Sequence, residues 1–163
     1  MMGAGKTTLG KRLARECQLE FVDLDHEIER RTGVSVATVF EIEGEAGFRQ
    51  RETQLLAEVA CGKGCVVATG GGIVLSPINR ARLLACASVV YLHAPAALLH
   101  ARTHNDRSRP LLQVDDPQAR IRQLVERRDP LYREVADLVV EAGRDTAAVA
   151  HEIKRAMNTS CKH

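Results

Sequence analysis

The chain begins Met1-Met2-Gly3-Ala4-Gly5-Lys6-Thr7-Thr8, and this opening constrains the fold more than any other stretch. It carries the Gly-Lys-Thr of the phosphate loop G-x4-G-K-[ST], in which glycines let backbone amides close around phosphate oxygens, the lysine reaches the β/γ-phosphates and the hydroxyl ligates Mg²⁺. The first glycine of the pattern would fall one position before Met1, and no strand stands in front to feed the turn. A chance Gly-Lys-Thr in a flexible terminus is the competing reading. Gly3 and Gly5 bracketing Ala4, followed at once by an amphipathic helix, argue against it.

With 163 residues the chain is sized for a single domain over 1–163. Lys plus Arg number 23 against 21 Asp plus Glu, so no global field draws it onto nucleic acid. Aromatics are 3% with no tryptophan, which leaves few stacking platforms for single strands. Five cysteines, odd in number and scattered, read as reduced thiols. Cys61 and Cys65 flank a Gly-Lys-Gly without a second ligand pair, and His100 and His104 lack the glutamate of a zinc-protease helix, so neither pair points to metal. No apolar run suits a membrane span and no leader pattern is present, so the expectation is a cytoplasmic protein without membrane or nucleic-acid partners.

Short β-branched runs alternate with helical patterns, the mark of a parallel α/β sheet. Leu9, Leu13, Ala14 and Cys17 share a helical face, Leu19 to Leu24 reads as a strand, and the helical pattern from Val36 breaks near Gly44 and Gly47 before resuming at Phe48. Cys65 to Ala68, Ser88 to Leu92 and Leu138 to Glu141 read as strands. Asn79 to Ala87, Pro95 to Thr103, Ala119 to Arg128 and Thr146 to Met157 read as helices. Residues 104–118, charged and interrupted by Pro110 and Pro117, read as a mobile lid.

Phosphoryl transfer needs positioning, Mg²⁺ and positive charge. Gly3 to Lys6 can cradle phosphates, and Thr7 opens a helix whose dipole favours them. Asp23 and Asp25, two apart at an expected strand end, can serve Mg²⁺ through water and receive a hydroxyl proton; equally, Asp25 can cap a helix begun near His26 while Asp23 is solvated. Arg49 and Glu52 make an ordinary helix ion pair on spacing alone. Gly70-Gly71-Gly72 permits close backbone approach to a ligand, or simply a sharp turn. Arg109 stands in the expected lid, either to meet phosphates or as solvated charge. Arg128 ends a helix before a strand, facing the crevice or its own helix carbonyls.

In order, these blocks resemble shikimate kinase from Met1 to about Glu152. The resemblance rests on Gly3-Ala4-Gly5-Lys6-Thr7-Thr8, Phe21-Val22-Asp23-Leu24-Asp25, Gly44 to Arg49 with Glu52, Ala68 to Gly72, Arg109-Pro110-Leu111-Leu112 and Arg128-Asp129-Pro130-Leu131-Tyr132. It implies a three-layer α/β/α fold like the nucleoside monophosphate kinases, with a five-stranded parallel sheet, a monomeric state, and MgATP-dependent phosphorylation of the shikimate 3-hydroxyl in aromatic amino-acid biosynthesis. It implies ATP contacts from Gly3, Ala4, Gly5, Lys6, Thr7, Thr8 and Arg109, and Mg²⁺ held at Thr7 and Asp23; toward the adenine end the pattern weakens, and Arg144 in Gly143-Arg144-Asp145 is the candidate contact there. Shikimate would sit on Asp25, Arg49, Gly71 and Arg128, with Asp25 as base and Lys6 and Arg109 stabilising the transferring charge. A sister kinase acting on gluconate shares loop and fold, but paired arginines and triple glycine favour a carboxylated cyclic polyol.

The resembling fold places a strand before the loop at the centre of its sheet. Burying about four aliphatic side chains there, at roughly 1.5 to 3 kcal/mol each, would match a whole domain's net stability of about 5 to 15 kcal/mol. The sequence therefore predicts a sheet lacking its first, central strand, a start internal to a longer natural chain, and, as the alternative to an active kinase, a non-catalytic remnant.

Overall fold

The computed structural model describes residues 1–60, 64–104 and 110–160. Its helices and parallel strands alternate as the phosphate loop leads one to expect. Helix α1 (Lys6–Cys17) starts from left-handed Gly5 and buries Leu9, Gly10, Leu13 and Ala14. A methyl group on Gly10 would lie 2.5 Å from the Phe21 ring. That glycine lets α1 lie directly on β1 (Glu20–Asp23), which pairs in parallel with β2 (Cys65–Ala68) in the register Phe21 to Val66 and Asp23 to Ala68.

Strand β1 is shorter than the expected Leu19–Leu24 run, because α2 (Leu24–Thr32) begins at Leu24. Asp23 is its N-cap, accepting from the His26 amide at 3.4 Å. The capping role foreseen for Asp25 thus belongs to Asp23, and Asp25 sits in the first helical turn instead of on the strand end. Helix α3 (Val36–Ala60) breaks at Gly44 (φ 71°, ψ 179°), a conformation open to glycine alone, while Gly47 stays helical. The Glu43 carboxylate clasps Arg51 across that break at 2.6 Å and 2.8 Å.

After β2 the glycines lead into a 3-10 turn (Ile73–Leu75) and α4 (Pro77–Cys86), capped by Ser76. Strand β3 (Val90–His93) pairs in parallel with β4 (Leu138–Glu141), and α5 (Ala96–Thr103) follows β3. Helix α6 (Pro117–Val135) corrects two expectations. It starts within the segment read as a lid, where Pro110–Leu112 also forms a 3-10 turn, and it runs through Pro130 instead of ending at Arg128. Pro130 removes one backbone donor, but Ile121, Leu124, Arg128, Tyr132 and Val135 are buried along one face and hold the helix together across it. Residues 105–109, Arg109 among them, lie outside the described residues. Helix α7 (Thr146–Ser160) closes the chain and packs on α1.

Among the described residues the strands form two parallel pairs, β1 with β2 and β3 with β4, with no ladder between the pairs. Four described strands in two pairs thus stand where the resemblance implies a five-stranded sheet. Cys65, Val66 and Val67 of β2 are only half-buried, although parallel strands are normally covered on both faces. Buried Met1 and Met2 lie against Gly71, at the carboxyl end of β2, while Gly3 rests on α5, just beyond β3. The phosphate loop therefore spans the carboxyl ends of the two pairs.

Candidate active site

The loop's shape follows from its glycines. Gly3 (φ 71°) and Gly5 (φ 94°) both turn left-handed, and a methyl on Gly3 would lie 2.8 Å from the Thr103 side chain. Lys6 Nζ donates to the Met1 carbonyl at 2.7 Å, and Arg102 Nη1 donates to the Gly3 carbonyl at 3.3 Å. The result is a concave backbone at the start of α1, lining a cleft of about 440 Å³ that also includes Thr8, Asp25, Arg102 and Arg144. At its floor Thr7 Oγ1 donates to Asp23 Oδ2 at 2.7 Å. A hydroxyl and a carboxylate in contact beneath a phosphate cradle are hard oxygen donors of the kind Mg²⁺ takes alongside phosphate and water.

A second lobe of about 560 Å³ continues from the first, and Met2, Thr7, Asp23 and Asp25 line both. Its far wall is apolar, from Val36, Phe40, Phe48 and Leu111, and its polar side carries Arg49, Arg128 and Gly70 to Gly72. Arg49 is held by carboxylates: Nη1 donates to Glu52 Oε2 at 2.8 Å and Nη2 to Glu45 Oε1 at 3.1 Å, with the guanidinium 5.2 Å from the Phe48 ring centroid. Glu52 is wholly buried, and burial raises its carboxyl above the usual range in spite of Arg49. Any side chain at Gly72 would run into the Arg49 guanidinium, and one at Gly70 into Glu52 and, at 3.0 Å, Asp25. Close approach therefore accounts for glycine at positions 70 and 72, while a methyl on Gly71 would meet its nearest neighbour at an ordinary 3.4 Å.

Arg128 is 2% exposed. Its Nη1 donates to the Gly71 carbonyl at 3.0 Å, its Nε is buried without a hydrogen-bond partner, and among the described residues no carboxylate pairs with it. Burial presses its pKa below the usual arginine value, and nearby Arg49 adds to the effect. A guanidinium buried with one donor unsatisfied and no carboxylate beside it is suited to pair with an anion.

The fold thus brings Lys6, Thr7, Asp23, Asp25, Arg49, Gly71 and Arg128 to one two-lobed cleft. Arg144 stands at the rim of the first lobe but is tied to Glu152 at 2.8 Å. Two participants escaped sequence reasoning. Arg102 meets the loop only because α5 packs beneath Gly3, a tertiary fact with no local signal. Tyr132, which donates to the Gly71 carbonyl, belongs to the Arg128–Tyr132 motif, in which sequence reasoning assigns it no role; its signal is that it lies four residues after Arg128, on the same helical face.

A family model described as shikimate kinase matches residues 2–158. A shikimate kinase of Aromatoleum aromaticum is 55% identical, over all of this chain and 96% of the relative. One of Halorhodospira halophila is 54% identical over 96% of the chain and 89% of the relative. Among solved structures, shikimate kinase from Acinetobacter baumannii in complex with shikimate superposes with a TM-score of 0.95 at 46% identity, covering 99% of this chain and 91% of that one. The Aquifex aeolicus shikimate kinase gives 0.87 at 28% identity, covering 99% and 95%.

Proposed function

The chain belongs to the shikimate kinase family, and from that premise we propose how its residues divide the work. The reaction is ATP-dependent phosphorylation of shikimate, a step of aromatic amino-acid biosynthesis. Neither a gluconate kinase nor a non-catalytic remnant finds support among these relatives. The phosphates of ATP lie on Gly3, Ala4, Gly5, Lys6, Thr7 and Thr8, with Arg102 and Arg144 flanking the nucleotide. Mg²⁺ would be held by Thr7 and Asp23, and when bound it would neutralise charge on the phosphate oxygens.

Shikimate occupies the second lobe, its carboxylate on Arg49 and Arg128 and its hydroxyls near Asp25 and Gly71. The observation that carries this reading is Arg128, a buried guanidinium with an unpartnered Nε, whose residue lines the same lobe as Arg49. A planar carboxylate satisfies such forks, and the apolar wall suits the carbon face of a ring. Asp25 lines both lobes, where a substrate hydroxyl can meet the γ-phosphate. It takes the proton of the 3-hydroxyl as that oxygen bonds to the γ-phosphorus and the bond to the β-phosphate oxygen breaks, giving shikimate 3-phosphate and ADP. Lys6 stabilises the developing charge together with Arg109, assigned from its motif. As part of the same reading, the enzyme works as a cytoplasmic monomer; no described helix is long and apolar enough to cross a membrane.

The test is ADP release by the purified chain with MgATP and shikimate, gluconate or a nucleoside monophosphate in parallel. Release that depends on shikimate is expected. Release with gluconate or a nucleoside monophosphate instead would overturn the assignment.

A further inference from the structure

Gly71 lies beside the substrate lobe, and its carbonyl accepts two hydrogen bonds from one face of α6: from Arg128 Nη1 at 3.0 Å and from the Tyr132 hydroxyl. A carbonyl oxygen has two lone pairs, so both fit. Tyr132 is 7% exposed, and its ring stacks on Tyr91 with centroids 4.7 Å apart. Tyr91 in turn donates to Asp129 at 2.8 Å, which fixes this turn of α6 to β3. Burial pushes the Tyr132 hydroxyl up to about 12, so near neutral pH it keeps its proton. That proton has two acceptors in reach, the Gly71 carbonyl and the Met1 sulfur at 3.4 Å, and the carbonyl is the stronger.

We propose that Tyr132 is a positioning residue for the substrate anion, its hydroxyl holding the Gly71 carbonyl so that the Arg128 guanidinium is released to the incoming carboxylate. Without the hydroxyl, Arg128 would be the carbonyl's remaining side-chain donor in this contact. Turning Arg128 toward substrate would then strip a half-buried acceptor of its partner, a penalty that falls on binding. With the hydroxyl present, the carbonyl stays satisfied while Arg128 reorients. The proposal rests on the assignment of Arg128 to the shikimate carboxylate.

Tyr132→Phe removes the hydroxyl and keeps the ring on Tyr91. The expected result is a shikimate KM raised about five- to tenfold, corresponding to the loss of one such hydrogen bond, with the ATP KM and kcat within about twofold of the parent. The same substitution in an Arg128→Ala background is expected to change the shikimate KM by less than about twofold, since the group being released is gone. An unchanged shikimate KM in Tyr132→Phe would overturn the proposal. So would an equal effect in both backgrounds, or a loss of ATP binding matching the loss of shikimate binding, which would mark a merely structural role. An Arg128→Ala chain with normal shikimate KM would instead bring down the carboxylate assignment, and this proposal with it.

Discussion

One oxygen of the Glu52 carboxylate accepts from Arg49 Nη1 at 2.8 Å, while the other is buried without a hydrogen-bond partner beneath Gly70. The carboxylate orients the arginine at an electrostatic penalty that depends on pH. Burial raises the folded-state pKa of Glu52 above its ordinary value of 4.5, so the unfolded chain releases this proton at lower pH than the folded one. Glu52 therefore contributes most to stability below that value, and the contribution is lost as pH rises through the raised folded pKa. Denaturant titrations across this range should show the stability of the parent minus that of Glu52→Gln falling as pH rises and then levelling. A difference that grows with pH would mean that Arg49 outweighs burial.

Gly72 is separated from the Arg49 guanidinium by no more than its missing side chain. Gly72→Ala should push Arg49 out of place, raising the shikimate KM by at least about tenfold and lowering stability by about 1 to 3 kcal/mol, as for overpacking at a tight site. The ATP KM should stay within about twofold, because the nucleotide lobe does not include Gly72. Steady-state kinetics with each substrate varied in turn makes the comparison.

Thr7 and Asp23 touch at 2.7 Å beneath the phosphate loop. Thr7→Ala removes one of the two oxygens assigned to Mg²⁺, so half-maximal activity should require about tenfold more Mg²⁺, in line with one lost charge-assisted contact. Shikimate affinity measured without nucleotide should be unchanged. A Mg²⁺ titration of turnover at fixed ATP reads the first expectation and a calorimetric titration the second.

What could be read from the residues was the chemistry carried by short motifs, and what could not was where helices stop and which elements meet. Strands β2 and β4 were legible to the residue because a glycine, Gly64, precedes the apolar run of the first and an acid, Glu141, closes that of the second. Asp23 and Asp25 were placed on a strand end because a run of β-formers does not reveal that Asp23, as a cap, has already started α2. Pro130 suggested a helix end, yet burial of Arg128, Tyr132 and Val135 outweighs the lost backbone bond. Glu52 looked like a surface partner of Arg49. Its complete burial comes from the packing of α3 beneath the glycine turn, which joins segments far apart in the chain.

The most direct measurement of where substrate binds is calorimetric titration of Arg49→Ala with shikimate and, separately, with ATP. Shikimate affinity should fall by roughly 10- to 150-fold, the worth of a charge-assisted hydrogen bond to a carboxylate, while ATP affinity stays within about twofold. Retained shikimate affinity with weakened ATP binding would contradict placing the shikimate carboxylate between Arg49 and Arg128.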